Sequence, residues 1–214
     1  MASRSTSIET AEALLAEKLR GVDIRKRLSA LGIAYDDRSG LPAFEAFGKT
    51  ISVAAVDNTL FRPGSEAPIH PVERIIILRY LTHPLPVKPS GELIGFRDLP
   101  GGMFYYGPFT ARAVAPLVRT AGDDLESLRA GLSRFRWEAY PGADFGAAIT
   151  VVGPVALYLL YWRGDGEFGA RAEYLFGRAV RRIFSADEIA ALASHVTGEI
   201  RRTIKNGGVC PGAC

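Results

Sequence analysis

The sequence predicts a single α+β domain: a mixed or antiparallel sheet packed by helices, with a helical hairpin at the N-terminus and a long helix at the C-terminus. Three observations predict it. Strand-like and helix-like segments are segregated along the chain and do not strictly alternate, which argues against a doubly wound sheet. The longest apolar run, Ala147 to Trp162, is broken by Gly153-Pro154 and reads as two buried strands. Over 214 residues, 48% hydrophobic and 23% charged composition suits a chain that buries a sizeable core and excludes the disordered class.

The elements follow in order. Thr6-Ser7-Ile8-Glu9 has the pattern of a capping box for a first helix, with Leu14, Leu15 and Leu19 as its apolar face. Gly21 ends that helix and Asp23 caps a second, carrying Ile24, Leu28 and Leu31. Asp37 to Gly40 is a turn, and Thr50 to Val56 alternates as a strand, so a small meander follows the hairpin. Asp57-Asn58 closes that strand as a turn. Pro71 opens a helix over Val72 to Leu81 that is apolar on nearly every side and therefore central. Glu92 to Arg97 is a strand, and Leu99-Pro100-Gly101-Gly102 a turn. Thr110 to Thr120, Asp123 to Arg134 and Gly169 to Ile183 read as helical. Ser185 to Glu188 is a second capping box, opening a last helix with Ile189, Leu192, Val196, Ile200 and Ile204 inward. The domain spans 1–206, and 207–214 is a flexible tail.

Several function classes are excluded or disfavoured. The net charge is +3, but the arginines are scattered and form no basic face, so no nucleic-acid partner is expected. No apolar run reaches the roughly 20 residues of a spanning helix, and no signal peptide is visible, so no membrane is expected and a cytoplasmic location is the default. Both cysteines lie in the last five residues and cannot staple the core. There is no nucleophile elbow, no His-Glu-x-x-His and no dinucleotide-binding glycine fingerprint.

Three stretches carry candidate chemistry. In Phe96 to Gly102, Gly101 and Gly102 can turn backbone N–H groups toward an anion, Arg97 can add donors, and Tyr105 and Tyr106 can form a flat wall with polar tips. The competing structural reading is a tight turn feeding an aromatic strand. In Tyr161 to Phe168, Trp162 stands beside Asp165 and Glu167, which suit an acid/base pair or hard-metal ligands. The competing reading has Asp165 capping a helix, Glu167 favouring its positive end and Trp162 filling core. Asp144 can bond either a loop backbone or a substrate. In the tail, Cys210 and Cys214 form a C-x-x-x-C pair suited to a soft metal or redox chemistry. Two thiols are half of a zinc site, which His70, His83 or His195 can help complete. The competing reading is a loose terminus with incidental thiols.

The stretches Glu73 to Leu81 (ERIIILRYL), Phe96 to Phe109 (FRDLPGGMFYYGPF), Tyr161 to Phe168 (YWRGDGEF) and Tyr174 to Phe176 (YLF) together resemble a domain family of unknown function, DUF3786. The meander around Phe47-Gly48-Lys49 also fits. Two departures stand out: Gly166 and Gly177 occupy positions where the family usually has an acid. The resemblance implies a cofactor-linked role, since relatives stand beside iron–sulfur modules and corrinoid-dependent enzymes. The expected function is therefore binding of a small molecule or cofactor of tetrapyrrole, corrinoid or metal type. Its pocket is expected between the Gly101-Gly102 turn and the Trp162 to Phe168 segment. Two alternatives stand beside it: an enzyme using Asp165 and Glu167, and a metal or thiol carrier acting through Cys210 and Cys214. The sequence names neither the ligand nor the oligomeric state.

Overall fold

The broken apolar run becomes the centre of the molecule. In the computed structural model, which describes residues 2–84 and 91–207 (2–9 by backbone alone), Gly153-Pro154 turns one long strand back on another. Among the described residues there are nine strands, in chain order β1 (Tyr35–Asp36), β2 (Ala43–Ala46), β3 (Lys49–Val53), β4 (Leu60–Phe61), β5 (Leu93–Gly95), β6 (Trp137–Ala139), β7 (Phe145–Val152), β8 (Val155–Trp162) and β9 (Arg171–Gly177). They form one sheet in the order β4-β3-β2-β7-β8-β9-β5, with β1 on β2 and β6 on β7. The recorded pairings are antiparallel, so the sheet is antiparallel and not mixed. Ala147, Ile149 and Val151 of β7 and Val155, Leu157 and Leu159 of β8 are buried, while the alternate residues are half-buried. That period-two pattern puts one face of the sheet on the core.

Helices cover that face: α1 (Ala2–Leu19), α2 (Ile24–Ala30), α3 (Pro71–Thr82), α4 (Gly102–Phe109), α5 (Ala115–Ala121), α6 (Leu125–Gly131) and α7 (Ala186–Lys205). Several end as the sequence predicts. The Asp23 carboxylate accepts from the N–H of Lys26 at 3.1 Å, Pro71 opens α3, and Ser185 and Glu188 form the capping box of α7. Ile189, Leu192, Val196 and Ile200 are buried, and α7 packs against α3, α5 and α6. The fold is thus α+β, with α7 at the middle of the helical layer. No helix among the described residues is long and apolar enough to cross a membrane.

Three expectations are corrected. Gly169 to Ile183 contains β9 followed by a 3₁₀ turn at Arg178–Arg182, not a helix. Its Ala, Glu, Leu and Arg residues favour helix locally, but Tyr174 and Phe176 alternate inward and β8 needs a partner for its backbone. The expected turn at Leu99-Pro100-Gly101-Gly102 is present, but it feeds the helix α4 (Gly102–Phe109) and not a strand. Packing sets it, because Phe109 stacks on Phe96 at 4.0 Å between ring centroids. Pro108 lacks an N–H for the preceding turn, and the chain widens into a π turn at Thr110–Val114 before α5. The first helix begins at Ala2, so the expected capping box at Thr6 lies inside it.

The β2–β3 hairpin brings the N-terminal meander to the site described next. Its two-residue turn, Phe47-Gly48, has both residues left-handed, with φ 54° and 67°. A side chain at Gly48 would place its Cβ 2.2 Å from the carbonyl oxygen of Arg134, so only glycine lets the turn press that close. The Phe47 N–H bonds the Val151 carbonyl at 2.8 Å, which joins the meander to β7.

Candidate functional site

The residues singled out from the sequence separate into two neighbourhoods. Gly101, with φ 78°, caps α4. The Gly102 N–H donates to the Leu99 carbonyl at 2.8 Å, and a Cβ at Gly102 would stand 2.0 Å from the Phe96 carbonyl oxygen. The paired glycines therefore serve a tight approach of α4 to the 3₁₀ turn Phe96–Asp98, and the Gly102 N–H is not aimed at an anion. Arg97 stacks on the ring of Tyr106, 3.8 Å from its centroid. Tyr106 and Trp162 both line a recess of about 220 Å³. Arg171 lies over the Trp162 ring at 4.4 Å.

Asp165 and Glu167 stand beyond that recess in an exposed loop. The Asp165 carboxylate accepts from the N–H groups of Phe168 at 2.7 Å and Glu167 at 2.9 Å. These backbone donors hold it below its ordinary value, the opposite of what a general acid needs. Asp165 caps a loop and no helix follows. Two other acids act in the same way. Asp123 accepts from the N–H of Gly164 at 2.6 Å, and Asp144 from that of Arg163 at 2.9 Å. Together they shape an open depression of about 930 Å³ beside Trp162 and Arg171. Among the described residues, no group of three His, Cys, Asp or Glu side chains is placed to hold a metal ion. Cys210 and Cys214 lie outside the described residues.

The second neighbourhood is a cleft of about 490 Å³ between α4, with its π turn, and α7. Tyr105, Pro108, Phe109 and Arg112 form one wall. The other is α7, which presents the small residues Ala190, Ala191, Ser194 and Gly198 together with Asp187, His195 and Arg202. His70 and Val72 also line the cleft. Of the residues singled out from the sequence, Tyr105, His70 and His195 line this cleft.

Behind the cleft wall lies a buried charge cluster. Glu73, in the first turn of α3, is 1% exposed. Its Oε1 accepts from Lys49 Nζ at 2.5 Å and from His195 Nε2 at 2.8 Å. A carboxylate accepts only, so Nε2 of His195 carries the proton and Glu73 fixes the ring. Burial pushes Glu73 upward, but the hydrogen bonds from His195 and Lys49 outweigh it and hold the carboxyl below its ordinary value. His70 stacks on His195 with centroids 4.2 Å apart, and Phe47 meets the same ring edge-on at 6.0 Å. His70 Nδ1 accepts from the Val72 N–H at 3.2 Å, capping α3 in its neutral form. Burial, then the charge of His195, lowers its pKa. One turn along α7 from His195, Glu199 accepts from Arg134 at 2.9 Å and from Arg202. Burial opposes its ionisation, and the hydrogen bond and charge of Arg202 prevail, so it too lies below the ordinary value.

The sequence reading missed Lys49, Glu73, Arg112 and Arg202, and it named His70 and His195 only as helpers of the cysteines. A signal for Glu73 was present. It is a lone acid opening a helix apolar on nearly every side, and a buried carboxylate requires a partner. Lys49 had no such mark, because the hairpin turn that delivers it to Glu73 is a tertiary contact. Both residues lie in stretches that carry the family resemblance.

Comparison with curated proteins and with solved structures finds no match. The family model described as a domain of unknown function, DUF3786, matches residues 23–199. That span holds α2, the whole sheet and α7 as far as Glu199, and this chain belongs to the DUF3786 family.

Proposed function

We propose that this chain binds a small molecule or cofactor, and that the ligand occupies the cleft between α4 and α7. One observation carries the reading: α7 presents the small residues Ala190, Ala191, Ser194 and Gly198 to the cleft, directly beside a buried Lys49–Glu73 ion pair that His195 joins by a hydrogen bond. Glycine in a helix interior costs about 1 kcal/mol relative to alanine. A Cβ on Gly198 would meet nothing within 4 Å, so packing does not require glycine there. An open volume of about 490 Å³ falls in the ~300–1,000 Å³ range of small-molecule sites. The π turn on the facing wall supports the reading, since such turns frequently stand at functional sites. The narrower ligand classes implied by the family resemblance, a tetrapyrrole, a corrinoid or a metal, belong to the same proposal.

The test is co-purification. Wild-type protein and a Gly198→Leu variant are recovered anaerobically from the native host, then compared by absorption spectroscopy and mass spectrometry. The variant is expected to melt no lower than wild type and to lose the bound compound that wild type carries. A visible band in wild type would identify a coloured cofactor. Retention of the same compound by the folded variant would remove the cleft as its site.

A further inference from the structure

The cleft carries charged side chains at its two ends and small, aromatic and imidazole side chains between them. Asp187 and Arg202 line it fifteen residues apart on α7, about 22 Å at 1.5 Å per residue. Between them lie the small residues of α7, faced by Tyr105 and Phe109. The Thr197 hydroxyl donates to the Ala113 carbonyl at 2.8 Å, which sets Arg112 beside the C-terminal half of α7, the half that carries Arg202.

That half holds more positive than negative charge. Lys49, Arg134 and Arg202 pair with two carboxylates, Glu73 and Glu199, and Arg112 adds a further positive charge to the cleft lining. Both carboxylates are buried and already engaged, Glu73 by Lys49 and His195, Glu199 by Arg134 and Arg202. Arg112 has no hydrogen-bond or ion-pair partner among the described residues, yet it lines the cleft. An anion in the cleft would meet a planar guanidinium with its donors uncommitted. At the opposite end, Asp187 repels the same anion and gives the site a direction.

We infer that the cleft selects an elongated amphipathic carboxylate, its head at Arg112 and Arg202 and its apolar body along Ala190, Ala191, Ser194 and Gly198. This rests on the cleft being a ligand site, the reading proposed above. Charge favours this class: two guanidiniums, Arg112 and Arg202, line the cleft, against a single carboxylate, Asp187.

The experiment is isothermal titration at low salt with decanoate and decanol, which share a tail and differ in the head. Wild-type protein is expected to bind decanoate at least about tenfold more tightly than decanol, the worth of one charge-assisted contact. Arg112→Gln should lose about tenfold for decanoate and leave decanol unchanged. Gly198→Leu should bind neither. Equal affinity for the two compounds, or an Arg112→Gln variant with full decanoate affinity, would overturn the carboxylate inference and leave the cleft as a small-molecule site. Decanoate bound undiminished by Gly198→Leu would overturn both. If neither compound binds wild type, the inference falls, and co-purification decides the parent reading separately.

Discussion

Glu73 and Asp165 are both carboxylates held by two donors, and both titrate below the ordinary value, yet they do different work. Asp165 receives its donors from the backbone two and three residues ahead, in an exposed loop. Glu73 receives its donors from Lys49, 24 residues before it, and His195, 122 residues after it, inside the core. A local cap organises a few residues of chain, whereas a buried ion cluster locks together a hairpin, α3 and α7. The cluster's desolvation has to be offset by every partner at once, so removing one leaves a charge stranded. The loop's acid is screened by water and leaves little behind when it is lost.

The largest expected effect follows from breaking the cluster. Glu73→Gln strands Lys49 in a site where its side chain is 22% exposed, and should destabilise the protein by about 3 kcal/mol, the lower part of the range for breaking a buried pair. Urea denaturation measures it, and an unchanged midpoint would contradict the cluster's role. The same variant should alter the acid limb. Because the folded pKa of Glu73 lies below its ordinary 4.5, its contribution is complete above that value and is lost as pH falls through the folded pKa. Glu73→Gln should therefore show a shallower loss of stability in acid than wild type.

A smaller effect is expected at His70, on the cluster's rim. Its folded pKa is depressed below 6.5, so the neutral ring's contribution is full above 6.5 and is lost as pH falls through the folded value. Glu73, Glu199 and Lys49 also act on this ring, the two carboxylates opposing the shift and the lysine adding to it. His70→Asn keeps an N-cap acceptor but cannot titrate, so its melting temperature should vary less across that window. A variant that tracks wild type at every pH would mean that His70 does not govern the window.

The smallest effect belongs to the loop. Asp165→Asn retains an oxygen acceptor for the two backbone N–H groups in an exposed segment, so thermal melting should be indistinguishable from wild type. A large loss there would erase the contrast between the two regions and return attention to the depression beside Trp162.

The parts of the fold legible in the sequence were those set by local chemistry. Asp23, Pro71 and the Ser185–Glu188 pair announced three helix starts, and Gly153-Pro154 announced the central hairpin. Residues 171–177 were misread because local propensity favours helix there while the edge of β8 requires a strand. Arg112 gave no sign at all: an arginine in a helical pattern looks like a solvated one until the opposing wall is in place.

By itself, then, the sequence determined the α+β class, the starts of α2, α3 and α7 and the inward faces of α3 and α7, since these depend on the period of apolar residues and on side chains bonding their own backbone. Only the tertiary structure decided that Phe47-Gly48 carries Lys49 to Glu73, that His195 closes the cluster, and that the small residues of α7 leave a cleft. Those contacts join residues far apart in the chain, and their energy comes from desolvation and charge pairing that arise only once the core has excluded water.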